Sequence, residues 1–135
     1  MQPVIFKTTH QPRFDDLDPY GHLNTSKYIA YIIQNRMDGS RNELNLNAKF
    51  FEQIPFALPV RGINIEFVRP IFLDESFTIE SYIDSFGKTS ASVKTKMVKS
   101  DGKLAASGDL TFVSMCKKTM KPIEWDEEFK KLFFI

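Results

Sequence analysis

Asp18, His22 and Asn24 fall close together in the run Arg13-Phe14-Asp15-Asp16-Leu17-Asp18-Pro19-Tyr20-Gly21-His22-Leu23-Asn24-Thr25-Ser26-Lys27-Tyr28. An Asp first, a Pro second and a Gly fourth is the pattern of a type I turn. Pro19 fixes its own φ and holds Asp18 out of the α region. Asn24 and Thr25 are N-cap candidates for a helix starting near Ser26. The spacing predicts a carboxylate aimed at the open N–H groups of a helix start. A carbonyl bound there would meet the positive end of the helix dipole at its oxygen and an acid near its carbon. That combination suits attack on an activated carbonyl. A turn aspartate also has a plainer use, accepting local N–H groups to close its own loop. His22, Asn24 and the apolar helix that follows are what a plain turn would not need. Asp15 and Asp16 read as solvated turn residues.

The elements that must position these groups follow from patterning. Residues 4–14 read as a strand ending at the Asp-rich turn. From Ser26 to about Asp38 the pattern is helical, and Tyr28-Ile29-Ala30-Tyr31-Ile32-Ile33 is apolar on every side, which predicts a helix buried all round. Gly39 reads as its C′ residue. Residues 40–60 read as an irregular or short helical connector. Arg61–Val68 then alternates through Ile63, Ile65 and Phe67 and halts at Pro70, a period-two strand. Ser76–Phe86, Thr89–Lys99 and Leu104–Cys116 continue the β pattern, with Asp101-Gly102 marking a hairpin. Glu124–Phe133 reads as a short amphipathic helix. The predicted class is α+β, a curved antiparallel five-stranded sheet wrapped around a long central helix, in one domain spanning residues 1–135.

Composition bounds the chemistry. With 18 basic and 17 acidic side chains among 135 residues, nothing draws the chain towards nucleic acid or an anionic membrane surface. Thirteen phenylalanines imply more apolar surface than one small core needs, and a lipid-like ligand or subunit interface would use the remainder. Cys116 stands alone, so no intrachain disulfide or Cys-rich metal site is expected. No three-ligand metal set with sensible spacing exists. No secretory leader pattern opens the chain and no run spans a bilayer, so a cytoplasmic location is expected. The Gly-x-Ser-x-Gly elbow, phosphate loops and dinucleotide fingerprints are absent.

Asp16-x-Asp18-x-x-Gly21-His22-x-Asn24 followed by Tyr28 closely resembles the signature of hotdog-fold acyl-CoA thioesterases of the 4-hydroxybenzoyl-CoA thioesterase type. Ile65-Glu66-Phe67-Val68-Arg69-Pro70, Asp74-Glu75 and Phe86-Gly87-Lys88-Thr89-Ser90 are similar to that family's second block. The resemblance implies hydrolysis of an acyl-CoA thioester, or one carried on acyl carrier protein, to a carboxylic acid and free thiol. It needs no cofactor or metal, since coenzyme A belongs to the substrate. By the same resemblance Asp18 is the catalytic carboxylate, as nucleophile or as general base for water. The backbone N–H at Thr25 would polarise the thioester carbonyl. His22 is either a structural hydrogen-bonder or a direct participant, and Asn24 either a cap that orients the turn or a catalytic group that binds water or the carbonyl. Gly21 serves close backbone approach to substrate or a simple turn requirement. Tyr28 reads as helix packing or, by its place in the motif, a substrate-binding residue, and Arg69, Lys88 and Ser90 lie where the family commonly contacts pantetheine or nucleotide.

The family pairs subunits edge to edge with the site at the junction, so a homodimer or homotetramer is expected. One departure stands out. Many relatives carry an acid on the helix five residues after the motif tyrosine, where this chain has Ile33, although Arg36 falls where relatives often have arginine. A non-catalytic acyl-thioester or fatty-acyl binding module is the alternative that Ile33 favours.

Overall fold

Period-two patterning builds the sheet, and the computed structural model, which describes residues 2–135, shows how it closes on the helix. The strands are β1 (Phe6–His10), β2 (Phe56–Ala57), β3 (Val60–Phe67), β4 (Phe77–Phe86), β5 (Ser90–Lys99), β6 (Leu104–Val113) and β7 (Met115–Cys116). The helices are α1 (Thr25–Leu44), α2 (Ala48–Gln53) and α3 (Glu127–Lys131), with a 3₁₀ turn at Phe14–Asp16. Five strands form one antiparallel sheet in the order β1-β4-β5-β6-β3, and β2 pairs with β7 apart from it.

The pleat sends alternate residues to opposite faces. Phe77, Ile79, Ser81 and Ile83 of β4 point inward beside Ala91, Val93, Thr95 and Met97 of β5. Phe6, Ile71, Phe77, Ile79 and Met97 are wholly buried, and each such side chain contributes about 1.5–3 kcal/mol. On the outer face Lys94 lies opposite Asp109 and Lys96 opposite Glu80 in register. Their ion pairs measure 2.6 and 3.2 Å, so the lysine face is a solvated strand face laced by cross-strand pairs.

Helix α1 departs from the sequence reading in two ways. It passes through Gly39 and ends at Asn45, whose left-handed φ of 58° caps it. Gly39 is a packing residue. A Cβ there would lie 2.1 Å from Cγ of the buried Phe6 ring. The helix is also not buried all round. Tyr28, Ile32, Asn35, Arg36, Gly39 and Ser40 face the sheet, whereas Ile29 and Met37 are exposed at 38% and 39%. The sheet of one chain covers only one side, so Ile29, half-buried Ile33 and Met37 form an open apolar ridge.

A polar clamp fixes α1 on the sheet. Asn35 Nδ2 donates to the carbonyls of Phe6 (3.2 Å) and Ile79 (3.1 Å), and Ser81 Oγ donates to Asn35 Oδ1 at 2.5 Å. Asn35 thereby ties the helix to adjacent strands β1 and β4, and its burial is offset by these partners. Strand β1 is shorter than the expected 4–14, because Phe14–Asp16 turns tightly to begin the site loop. The predicted strand to Cys116 breaks at Ser114, where β7 leaves the sheet to pair with β2. The terminal helix is confined to Glu127–Lys131. No helix is long and apolar enough to cross a membrane among the described residues.

Candidate active site

The loop between β1 and α1 is stitched closed before it delivers Asp18. Leu17 and Leu23 form an antiparallel bridge, and the Asp18 N–H donates to the His22 carbonyl at 2.7 Å. The Gly21 N–H donates to the Asp18 carbonyl at 3.0 Å, closing the turn that Pro19 initiates. Gly21 has φ of 80° and open space where a Cβ would stand. The turn's backbone conformation, rather than crowding within this chain, therefore calls for glycine here.

The Asp18 carboxylate is held by the same loop. Its Oδ1 accepts from the Tyr20 N–H at 2.9 Å and the His22 N–H at 3.0 Å. Both bonds fall on one oxygen, and no hydrogen bond among the described residues uses Oδ2. A carboxylate anchored by one oxygen presents the other in a defined direction. His22 contributes to Asp18 through its backbone, while its ring packs edge-on to Phe72 with centroids 4.9 Å apart.

Helix α1 begins beside this carboxylate. Asn24 is its N-cap, and its Oδ1 accepts from the Ser26 N–H at 3.0 Å. The Lys27 N–H donates to the Asn24 carbonyl at 2.8 Å. The Thr25 N–H, first in the helix, has no acceptor among the described residues, as expected for a first-turn donor. Asp18, His22, Thr25, Tyr28 and Arg69 line a common groove of about 260 Å³, walled by Phe67, Val68 and Pro70. Burial and the neighbouring Asp18 charge push the Tyr28 phenol up, with the Ile71 backbone opposing. The ring meets Phe67 edge-on at 4.9 Å.

The sequence marked Phe67–Pro70 by resemblance but not their place beside Asp18. The Leu23 N–H donates to the Ile71 carbonyl at 2.7 Å, and His22 bridges to Phe72. These bonds dock residues 68–72 onto the Asp18 loop. Beside the family resemblance over Ile65–Pro70, the signal available was Pro70, which ends the strand and forces the chain to turn there. Arg69 reaches the groove but also anchors itself, its guanidinium donating to the Leu104 carbonyl at 2.9 Å.

Asp16 is not a solvated turn residue. It is 7% exposed, and its Oδ2 accepts from the Arg13 N–H at 3.0 Å and from the Tyr31 hydroxyl. Burial pushes its carboxyl up, but the Tyr31 hydroxyl, the Arg13 N–H and nearby Lys27 and Arg13 together hold it below the usual carboxylate range. Burial and the Asp16 bond raise Tyr31 to about 12, so it remains a donor at neutral pH. Asp16 also accepts the Asn24 N–H through its carbonyl at 2.7 Å. It is the strut behind the cap and the turn, whereas Asp15 is exposed beside Arg13.

Lys88 and Ser90 sit elsewhere in the chain, at the β4–β5 turn. Lys88 pairs with Glu124 at 3.5 Å, and the Ser90 carbonyl accepts the Trp125 indole N–H at 2.9 Å. Neither lines the Asp18 groove.

A five-stranded antiparallel sheet wrapped on one long helix is the hotdog arrangement of thioesterases. The family model for the thioesterase-like superfamily matches residues 12–133, and the chain belongs to that superfamily. The long-chain acyl-CoA thioesterase FadM of Escherichia coli (strain K12) is 28% identical over 116 residues, 85% of this chain and 86% of FadM. The crystal structure of YbaW, a probable thioesterase from Escherichia coli, matches with a TM-score of 0.83 at 26% identity, covering 94% of this chain and 95% of that one. The Staphylococcus aureus protein SAV2348, solved in complex with CoA, shares the fold with a TM-score of 0.87 at 17% identity, covering 98% of this chain and 83% of that one.

Proposed function

We propose that the protein hydrolyses acyl-CoA thioesters, releasing a carboxylic acid and free coenzyme A, with Asp18 performing the chemistry. The observation that carries this reading is a carboxylate fixed through Oδ1 by two backbone N–H groups, in one groove with the unpaired Thr25 N–H. In the general-base route Asp18 takes a proton from water as the oxygen attacks the carbonyl carbon. The tetrahedral oxyanion accepts from the Thr25 N–H, the C–S bond breaks, and the protonated Asp18 returns its proton to the leaving thiolate. In the nucleophilic route an Asp18 oxygen attacks directly, expels the thiolate and forms an anhydride that water then cleaves. A preorganised oxyanion donor contributes about 3–4 kcal/mol in acyl transfer. Acyl carrier protein is a second candidate for the thiol carrier, and the reaction calls for no cofactor or metal.

FadM's description as a long-chain acyl-CoA thioesterase and the CoA complex of SAV2348 support coenzyme A as carrier. The acyl group lies along α1, where Ile29, Ile33 and Met37 offer an apolar ridge about 12 Å long at 1.5 Å per residue.

The working unit is a homodimer or a larger even assembly. Strand β3 is a sheet edge, and all its residues but Ile65 are exposed, including Val60, Ile63 and Phe67. An edge of that length and polarity invites pairing with a second copy. Lys88 and Ser90 then serve coenzyme A bound across the junction, since they do not reach their own chain's Asp18 groove.

Thiol release from a panel of acyl-CoA thioesters, graded in length and including aromatic acyl groups, tests the reading. Turnover of at least one series supports it. Tight binding across the panel with no thiol released would favour the non-catalytic acyl-thioester binder that Ile33 recommends.

A further inference from the structure

A second cavity, sharing no lining residue with the Asp18 groove, lies between α1, the sheet and α3. Its volume is about 290 Å³, and its walls include Met37, Phe51, Phe86, Trp125 and Phe129. One charged group lines this apolar space, Arg36, which is 9% exposed.

Arg36 has no anionic partner. No carboxylate among the described residues pairs with it. One guanidinium nitrogen donates to Ser81 Oγ at 3.0 Å, and Cζ stacks 4.2 Å from the Phe6 centroid. Those contacts engage one nitrogen and one face of a planar group with five N–H donors. Burial alone pushes its pKa down to about 10, which leaves it cationic at neutral pH. Buried charges are ordinarily paired, and a guanidinium fork matches a carboxylate in two parallel hydrogen bonds.

We propose that this cavity binds the carboxylate of an apolar organic acid, with Arg36 on the carboxylate and the chain or ring among Phe51, Phe86, Trp125 and Phe129. A cavity of ~150 Å³ admits benzene, so this one holds roughly twelve non-hydrogen atoms, a ligand of about decanoate size. Two sources supply that chemistry. One is a free carboxylic acid, the product class of the proposed reaction. The other is the far-end carboxylate of an ω-carboxyacyl thioester whose thioester end lies at Asp18. The binding claim stands on the cavity and Arg36 and does not depend on the role of Asp18.

Trp125 is the only tryptophan in the sequence and lines the cavity, so its fluorescence reports occupancy. Decanoate below its aggregation concentration is titrated against the full chain, with 1-decanol as the uncharged control. The expected result is saturable binding of decanoate at least about tenfold tighter than decanol, a difference that closes in Arg36→Met. Ala91→Leu, which places bulk in the cavity wall, should abolish binding of both. Asp18→Asn should bind decanoate as the wild type does, even if every acyl-CoA proves inert. Decanol binding as tightly as decanoate, no binding of either, or full decanoate binding by Ala91→Leu would each overturn the proposal. Should Arg36→Met fail to fold, the wild-type pair and Ala91→Leu still decide it. Thiol release from sebacoyl-CoA and decanoyl-CoA separates the two sources. A preference for sebacoyl-CoA that Arg36→Met erases assigns the site to the substrate's far end. No preference, together with decanoate binding, assigns it to the free acid.

Discussion

Gly39→Ala tests the placement of α1, on which both the Asp18 groove and Arg36 depend. In an ordinary helix interior this change stabilises by about 1 kcal/mol through propensity. Here the new methyl would stand 2.1 Å from Cγ, 2.3 Å from Cδ2 and 2.5 Å from Cβ of Phe6. Phe6 cannot move aside easily. It is wholly buried, with the Arg36 guanidinium 4.2 Å from its centroid and Phe133 packed 6.3 Å away. Overpacking of this kind costs about 1–3 kcal/mol, and contacts so far inside van der Waals distance place it at or above the upper end. The net expectation is a loss of about 2 kcal/mol, or a melting temperature lower by roughly 5–10 °C for a chain of this size. Thermal and urea unfolding followed by far-UV circular dichroism give the number, with an unchanged urea slope showing that the denatured state is unaffected. A melting temperature raised by a few degrees would refute the close approach and make Gly39 an ordinary helix-interior position with room for a methyl group.

Three further outcomes follow. Tyr31→Phe removes a donor from buried Asp16 and should cost about 1.5–3 kcal/mol. The folded Asp16 carboxyl lies below its usual range, so its stabilisation is complete above that range and is lost as pH falls through the folded value. Acid unfolding of Tyr31→Phe should therefore show a shallower pH dependence than wild type, and identical curves would detach Tyr31 from Asp16. Ile33→Glu puts a charge on a half-buried ridge position and should lose about 1–3 kcal/mol. If that face borders the site, it should also add a second ionisation to the acid limb of the pH–rate profile. Unchanged stability and profile would place the ridge away from both core and substrate. Light scattering at micromolar concentration should report a dimer or tetramer, and a 15.6 kDa monomer alone would contradict the pairing of β3 edges.

What could be read from the residues was set by local signals. Alternation in Arg61–Val68, the Asp101-Gly102 hairpin and the Asn24 cap are short-range patterns, and each has its counterpart in β3, the β5–β6 turn and α1. Gly39 misled because a glycine beside Asp38 and Ser40 looks like a helix end, while its real reason, the Phe6 ring, lies over thirty residues away in the sequence. Among Asp15, Asp16 and Asp18, composition alone does not say which carboxylate turns inward. That depends on Tyr31 and the Arg13 N–H reaching Asp16. The apolar run of α1 showed what a helix would bury, and not that one chain's sheet covers only half of it. Phe67–Pro70 was marked by the family resemblance alone, and its place as the groove wall emerges only when Leu23 and His22 bond to Ile71 and Phe72.

Asp18→Asn bears most directly on the central claim. The amide oxygen can still accept from the Tyr20 and His22 N–H groups, so the loop and the groove should survive the change. The amide can neither take a proton from water nor attack the thioester carbonyl. A positioned general base alone contributes about 10²–10⁴ in rate, so kcat should fall at least about 100-fold, or ~2.7 kcal/mol of barrier. Affinity for a non-hydrolysable thioether analogue of the best acyl-CoA, measured beside it, should stay within about threefold. Thiol release by Asp18→Asn within about tenfold of wild type, with the analogue still bound, would contradict the assignment of the chemistry to Asp18.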